Sequence, residues 1–154
     1  MTILTEANAK ALLEKVVKLS KADEIECNLD GNIGGNIRYA RNTVSTAGEE
    51  SDLTLAVQST CGKRVGVATI NEFDDSSLLK VVRRSEELAK LAPENDEHMP
   101  NFGKQKYAES KTFFDSTASV SPDDRAQAAA DSIVPSKKNK LIASGFLEES
   151  VSFT

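Results

Sequence analysis

Two β-rich runs joined by a short connection that contains glycine constrain this chain more than any other feature. LTLAVQST covers residues 53–60 and RVGVATI covers residues 64–70, with Cys61, Gly62 and Lys63 between them. Alternating β-branched residues on both sides of a glycine turn are typical of a β-hairpin. The sequence therefore predicts an antiparallel strand pair here.

An amphipathic helix follows this hairpin. Asp74 or Asp75 can accept hydrogen bonds from the free amides of a helix start, and Pro93 comes shortly after Leu91, where the apolar periodicity ends. The residues of the apolar face are Leu78, Val81, Val82, Ser85, Leu88 and Ala89. This spacing predicts a helix that ends at Leu91.

The N-terminal part of the chain reads as a helix followed by two strands. Apolar residues recur at helical spacing over 5–20, and EIECNLD over 24–30 alternates with the period of a half-buried strand. The glycines of GNIGG over 31–35 are expected to break that strand. NIRYARNTVS over 36–45 predicts a second strand, and AGEESD over 47–52 is turn-like.

The C-terminal part is less regular. ENDEHMPNFGKQK over 94–106 is polar and without periodicity, which indicates a linker or a long surface loop. KTFFDSTASV over 111–120 is interpreted as a further strand. LIASGFLEESVSFT over 141–154 alternates and is rich in β-formers, but no closing turn or partner strand follows it, so the chain is expected to stop in mid-sheet.

A third helix has the clearest start signal in the chain. Ser121 is a good N-cap, Pro122 suits the first helical position, and Asp124 stands three residues past the cap, close to a capping box. The next proline, Pro135, cannot continue the hydrogen-bonding pattern, so the helix is expected to end near it.

Composition and charge restrict the function classes. The 154 residues are 39% hydrophobic and 28% charged, which is typical of a globular protein. A net charge of -5 disfavours nucleic acid, and the basic residues over 137–140 are interpreted as covering a helix C-terminus. The sequence contains neither a span of apolar residues for a membrane nor a secretory signal at its N-terminus. We therefore expect a cytoplasmic protein without a membrane or nucleic-acid partner.

The two cysteines, Cys27 and Cys61, can pair only if the fold brings their Cα atoms within about 7 Å. In a cytosolic chain, two buried thiols are the favoured interpretation.

The glycine-rich stretches do not form nucleotide-binding motifs. Gly62 and Lys63 lack the upstream glycine of a Walker loop, and Arg64 stands where its hydroxyl residue should be. GNIGGN fails as a dinucleotide fingerprint because the following residues do not open a helix. Gly62 and Lys63 are therefore interpreted as a hairpin turn.

Metal and nucleophile chemistry is also poorly supported. The only histidine, His98, lies in the polar stretch DEHMP, and no HExxH or GxSxG pattern is present, so His98 is expected to be a solvated loop residue. The carboxylate pairs that begin at Asp74 and Asp123 lie at predicted helix starts, where capping explains them. The sequence thus predicts no catalytic, cofactor-binding or metal-binding residue in this chain.

The order of these features resembles the N-terminal domain of the TldD/PmbA family, also called modulators of DNA gyrase. The resemblance is strongest from Ile37 to Pro93, and LIASGFLEES is similar to the start of the family's next segment. In the family pattern, an arginine and asparagine strand precedes a hairpin whose second arm carries a glycine, a small residue and a Ser/Thr–Asn pair. The matching residues are Arg41, Asn42, Gly66, Ala68, Thr69 and Asn71.

The resemblance implies a zinc-dependent peptidase that works as a two-subunit assembly, either with a related partner subunit or with itself, and admits unfolded peptide into an internal chamber. The family's zinc site resembles His-Glu-x-x-x-His on a helix well downstream, with a cysteine further on. Cys27 and Cys61 match nothing in that site. Some members lack the zinc motif and act as the partner subunit.

These inferences lead to an α+β fold with a mixed, largely antiparallel sheet packed on amphipathic helices. Residues 1–110 are expected to form the N-terminal domain, and residues 111–154 a strand–helix–strand segment that leads into an absent domain. The favoured function is a non-catalytic domain that helps to build the subunit interface and the chamber wall, with strand edges able to pair with extended peptide. The alternative is a free-standing adaptor domain that binds protein through a sheet edge or the apolar face of its first helix. A direct DNA-binding role is disfavoured by the acidic total.

Overall fold

A computed structural model of the protein describes residues 4–154. Its elements in chain order are α1 (Glu6–Leu19), β1 (Glu24–Ala40), β2 (Thr43–Cys61), β3 (Arg64–Ile70), α2 (Asp75–Leu91), α3 (Asp115–Ala118), α4 (Pro122–Lys138) and β4 (Gly145–Phe153). The strands form one antiparallel sheet in the order β3-β2-β1-β4. The predicted α+β class is confirmed. The prediction that the N-terminus is not a secretory signal includes residues 1–3, and these lie outside the described residues.

The described residues divide into two compact units. The first, here called the aliphatic unit, comprises residues 4–31, 53–109 and 153–154. The second, here called the polar unit, comprises residues 32–52 and 110–152. β1, β2 and β4 each contribute residues to both.

The aliphatic unit contains a cluster of buried side chains from α1, β1, β2 and α2. Its members are Val16, Leu29, Leu55, Val57, Leu78, Val81 and Val82. Burial of one such side chain stabilises a fold by about 1.5–3 kcal/mol relative to leaving it exposed. The cluster explains why the hairpin and α2 were the clearest elements in the sequence.

The predicted hairpin is confirmed, and α2 packs closely on its second strand. β2 and β3 pair from Leu55 opposite Ile70 to Cys61 opposite Arg64. A Cβ added at Gly66 would lie 2.7 Å from the carbonyl carbon of Leu88, so only glycine allows the α2 backbone to come this close. The hydroxyls of Ser59 and Ser85 are hydrogen-bonded to each other at 2.7 Å in the same buried region.

Each predicted helix is present, and the helix starts follow the predicted capping. The Asp74 carboxylate accepts from the amides of Ser76 and Ser77 and from the Ser76 hydroxyl. The side-chain bonds from the two serines, followed by the amide bonds, hold the pKa of Asp74 well below its usual range. Ser121 and Asp124 form the reciprocal capping box at the start of α4. α4, however, continues through Pro135 to Lys138, so the predicted end near Pro135 is wrong. Pro135 lacks an amide for the helical hydrogen bond and its ring crowds the carbonyl of Asp131, but the helix continues for three more residues.

The predicted strand boundaries in the first half of the chain are wrong in three places. β1 is continuous through the GNIGG glycines, which were expected to break it. The predicted strand over 36–45 is divided by a two-residue turn, because Arg41 and Asn42 both have positive φ, at 51° and 61°. This is the conformation of a type I′ hairpin turn. β2 then runs through AGEESD, which was expected to be a turn.

The predicted strand over 111–120 is also wrong. Residues 111–114 have no regular structure, and the short helix α3 follows. The last predicted strand is present as β4, and its neighbour in the sheet is β1. The predicted linker over 94–106 contains no helix or strand.

Candidate functional site

The Gly62–Lys63 pair is a hairpin turn and not a phosphate loop. Gly62 has φ of 61°, and Cys61 pairs with Arg64 across the two residues, as in a type II′ turn. The Gly62 amide donates to the Asp23 carboxylate at 2.8 Å, and the Lys63 ammonium lies 3.4 Å from Asp96. The groups that would cradle a phosphate are therefore already paired within the chain.

His98 differs from its predicted state as a solvated loop residue. Its side chain is only 14% exposed, and its Nε2 lies 3.9 Å from the nearer carboxylate oxygen of Glu24. Within residues 4–154, Nε2 is buried without a hydrogen-bond partner. The loop closes over the ring because the Asn95 amide donates to the Lys63 carbonyl and the Asn101 amide donates to Glu24.

The residues around His98 do not fit a zinc ion. A zinc site needs three or four His, Cys or carboxylate ligands within about 2.0–2.3 Å of one point. Glu24 approaches His98 to 3.9 Å, and no group of three or more such side chains is arranged for a metal within residues 4–154. No reaction step can therefore be derived through zinc from these side chains.

The two cysteines are unpaired, as predicted, although both are only partly buried. Burial, together with the nearby Glu26 carboxylate, raises the pKa of Cys27 to about 11. Cys27 is therefore a protonated thiol at neutral pH, which is a poor nucleophile and a poor metal ligand.

The polar unit contains a buried ion-pair cluster that the sequence did not point out. The Arg125 side chain, 7% exposed, donates to Glu49 at 3.0 Å and also pairs with Glu149. Burial alone would lower the pKa of Arg125, but the hydrogen bond that it donates to Glu49 and the charge of Glu149 raise it. Gly35 leaves room for the guanidinium, because a Cβ there would overlap with it.

A cavity of about 320 Å³ adjoins this cluster. Glu49, Glu50 and Glu149 line it opposite the single cation Arg125, and Glu50 also accepts from the Asn32 amide at 3.0 Å. These carboxylates already bond to Arg125 and Asn32. Their role in holding the polar unit together accounts for the arrangement.

The helical spacing of the sequence indicates that Arg125 is buried. Arg125, Ala129 and Ile133 recur every four residues and form the buried face of α4. Glu86 similarly occupies the buried face of α2, next to Val82 and Ala89. A charged residue at a core-facing helical position predicts a buried partner.

Asn42, one of the residues that match the family pattern, bonds to the segment before β4. Its amide side chain donates to the Leu141 carbonyl at 2.8 Å and accepts from the Ala143 amide at 2.7 Å. Its backbone amide donates to the Ala143 carbonyl at 3.1 Å. Asn42 thus supplies both the left-handed turn geometry and an anchor for the segment that leads into β4.

The remaining residues that match the family pattern lie on β3 and just after it. Gly66 contacts α2, while Ala68, Thr69 and Asn71 line a cavity of about 580 Å³ beside that helix. The residues of the family pattern therefore meet two structural requirements, the Arg41–Asn42 turn and the close approach of β3 to α2. Three of them also line an exposed cavity.

The sequence matches one known family in its central part. Residues 31–89 match the description "PmbA/TldA metallopeptidase domain 1". No curated protein gives a significant match.

Three solved structures share the fold over nearly the whole chain. TldE from Thermococcus kodakarensis superposes with a TM-score of 0.77 and 16% identity, over 92% of this chain and 37% of that one. A protein from Thermotoga maritima, assigned provisionally as a modulator of a DNA gyrase, has a TM-score of 0.68 and 10% identity, over 94% of this chain and 35% of that one. A similarly assigned protein from Bacteroides thetaiotaomicron has a TM-score of 0.68 and 12% identity, over 96% of this chain and 40% of that one. The chain thus spans well under half of these proteins.

One further observation concerns membranes. None of the helices between residues 4 and 154 is long and apolar enough to cross a bilayer.

Proposed function

We propose that the chain is a non-catalytic N-terminal domain of a TldD/PmbA-like metallopeptidase. The proposal starts from the match of residues 31–89 to the first domain of the PmbA/TldA metallopeptidase family. In this proposal it contributes to a subunit interface and to the wall of a chamber in which unfolded peptides are cleaved. The partner is a related subunit or a second copy of the same protein. The zinc ion is held by a part of the parent protein outside residues 1–154, and the boundary near residue 110 remains a prediction.

The observation that carries the proposal is the agreement between the sequence match and the fold. The matched residues 31–89 include most of β1 together with β2, β3 and nearly all of α2. The same elements lie within the region that superposes on TldE and on the two proteins assigned as gyrase modulators.

The free-standing adaptor domain remains the second candidate, because α1 has an exposed apolar stripe. Ala9, Leu13 and Val17 recur every four residues along a shallow groove of about 480 Å³, and Val17 is 46% exposed. This face suits a partner helix whether the domain is free or part of a larger protein, so it does not decide between the two candidates.

Zinc titration of the 154-residue chain by calorimetry tests the non-catalytic role. The expected result is the absence of stoichiometric binding, with the same weak heats for the chain and for His98→Ala. Tight binding at one ion per chain that His98→Ala abolishes would contradict the proposal.

Sequencing the gene beyond codon 154 separates the two candidates. A reading frame that continues to a His-Glu-x-x-x-His helix, or to a homologous segment without that motif, supports the domain of a larger protein. A stop codon at that place supports the adaptor.

A further inference from the structure

Among residues 4–154, β3 is a terminal strand of the sheet, and no other strand of this described part lies along its outer edge. Cys61 and Arg64 flank a two-residue turn and therefore form a hydrogen-bonded pair. Because such pairs alternate along an antiparallel ladder, the amides and carbonyls of Val65, Val67 and Thr69 point away from β2. This edge offers the hydrogen-bonding pattern that an added strand requires.

A groove runs along this edge on the side of α2. It has a volume of about 580 Å³ and joins residues 68–72 to the flank of α2 over 80–87. Arg64 donates to the Lys90 carbonyl at 3.3 Å, Gly66 lies against Ser85 and Leu88, and residues 68–72 share the groove with residues 80–87. β3 and α2 therefore run alongside each other in opposite directions. A peptide strand added to β3 would therefore lie beside α2 along the length of the groove. Every second side chain of that peptide would point into the groove.

The charge of this groove differs from that of the whole chain. Three cations, Lys80, Arg83 and Arg84, and two carboxylates, Glu72 and Glu87, line the groove, although the chain carries a net charge of -5. Glu72 already accepts from the Ser77 hydroxyl at 3.1 Å. Arg83 is committed to Glu86 at 2.6 Å. Arg84 is only loosely paired with Glu87, at 3.8 Å with both side chains 64% exposed, which is a weak surface interaction. Lys80 and Arg84 are thus the cations available to a ligand.

The spacing of these two cations matches that of an extended chain. Residues four apart on a helix are separated by about 6 Å along its axis. Alternate side chains of a strand are separated by about 6.6 Å. Acidic side chains at positions i and i+2 of an added strand would therefore reach Lys80 and Arg84.

The opposite edge of the sheet is a poorer candidate. The cavity beside β4 is about 270 Å³, and the chain's own residues 112–114 line it together with residues 150–152. Its occupant would have to compete with a segment that is already there. The β3 edge has a larger groove and carries a charge pattern as well.

We propose that the groove between β3 and α2 binds an extended polypeptide segment with alternating acidic side chains, which adds to β3 as a further strand. The inference rests on the proposed function for the source of the segment, an unfolded peptide on its way to the catalytic part. The backbone bonds to Val65, Val67 and Thr69 supply affinity without regard to sequence, and Lys80 and Arg84 supply the preference for acidic segments.

The test uses the whole 154-residue chain and two fluorescein-labelled probes, Thr-Val-Glu-Val-Glu-Val-Thr amide and its counterpart with Lys in place of Glu. We expect fluorescence anisotropy to show binding of the acidic probe at least tenfold tighter than that of the basic probe. The difference should shrink between 50 mM and 500 mM salt, since screening weakens exposed charge pairs. Equal affinities, or no binding of either probe, would overturn the proposal.

Two pairs of variants locate the binding site. Val67→Pro removes an amide that points away from β2 and should weaken binding at least tenfold, while Val67→Thr keeps the amide and should bind as the parent does. Lys80→Glu with Arg84→Glu should reverse the preference between probes, while Lys10→Glu with Lys18→Glu makes the same charge change on α1 and should not. If Val67→Pro fails to fold by circular dichroism, the charge reversal decides alone.

Other occupants of the edge give distinct results. Self-association that Val67→Pro abolishes, seen by sedimentation in the absence of probe, would identify a second copy as the occupant and overturn the proposal. The failure of the proposal is also separable from that of the proposed function. Zinc titration and the gene sequence beyond codon 154 report on the proposed function, whereas the probes report only on the groove.

Discussion

The aliphatic and polar units are each stabilised by a different kind of interaction. In the aliphatic unit, β2 residues such as Leu55 and Val57 are fully buried in a cluster of hydrocarbon side chains. In the polar unit, residues 43–52 of the same strand are all exposed, and Arg125 and Asn42 supply the specific contacts. One strand can therefore be held by packing at one end and by charge and hydrogen bonds at the other. The two units should then respond differently to steric and to electrostatic changes.

The largest effect is expected from Gly66→Ala, which tests the packing of the aliphatic unit. The added methyl group would overlap with backbone atoms of α2, which cannot move aside as a flexible side chain would. We expect a loss of about 3 kcal/mol in the free energy of unfolding, measured by urea denaturation. Gly103→Ala is the matched control, because a Cβ at Gly103 meets nothing within 4 Å. A change below about 0.5 kcal/mol for Gly66→Ala would show that α2 does not pack on β3 as described.

A smaller effect is expected from Arg125→Met, which tests the polar unit. The substitution keeps much of the side-chain volume but leaves Glu149 without its cation. We expect a loss of about 2 kcal/mol, less than the ~3–5 kcal/mol of fully buried pairs. The reduction follows because Glu49 is 65% exposed and water can solvate it. Arg84→Met, on the exposed surface of α2, is the control and should change the free energy of unfolding by less than about 0.5 kcal/mol.

The smallest effect is expected from Glu86→Gln, which tests whether the aliphatic unit also depends on a charge. Glu86 is buried and accepts from the Lys21 amide at 2.6 Å and from Arg83 at 2.6 Å. Burial alone would raise the pKa of Glu86, but these two bonds outweigh it and lower the pKa below the ordinary 4.5. We expect a loss of about 1.5 kcal/mol at pH 7, because glutamine accepts more weakly than a carboxylate.

The pH dependence of this difference follows from the direction of the pKa shift. A carboxylate with a lowered pKa in the folded state stabilises the fold fully above the unfolded value and loses that contribution as pH falls through the folded pKa. The parent should therefore lose its advantage over Glu86→Gln as pH falls below about 4.5. Urea denaturation of both chains at several pH values between 3 and 7 measures this, and a constant difference would contradict the role of Glu86.

Local periodicity was sufficient for the parts of the fold that bury apolar surface. The hairpin over 53–70, α2 and the start of α4 were predictable because each combines an apolar face with a turn or a cap. It was insufficient in the polar unit, where residues 47–52 form a strand exposed on both faces and show no apolar alternation. The pairing of β2 with β1 compensates for the missing pattern.

The glycines of β1 illustrate a second limit. GNIGG suggests a break, yet Gly31 and Gly35 leave room for Phe153 and Arg125, which come from distant parts of the sequence. A window of neighbouring residues contains no information about contacts with residues that are distant in the sequence. The same limit applies to the candidate groove, whose basic residues are visible in α2 but whose position beside the β3 edge depends on tertiary packing.

The Asn42 anchor has a consequence for the synthesis of the protein. Its side chain joins residues 99 and 101 positions further along the chain. At typical translation rates of about 5–20 residues per second, Asn42 leaves the ribosome roughly 5–20 s before its partners. Throughout that interval β1 has no β4 beside it, so the nascent protein displays a second open strand edge to chaperones until residues 145–153 have emerged.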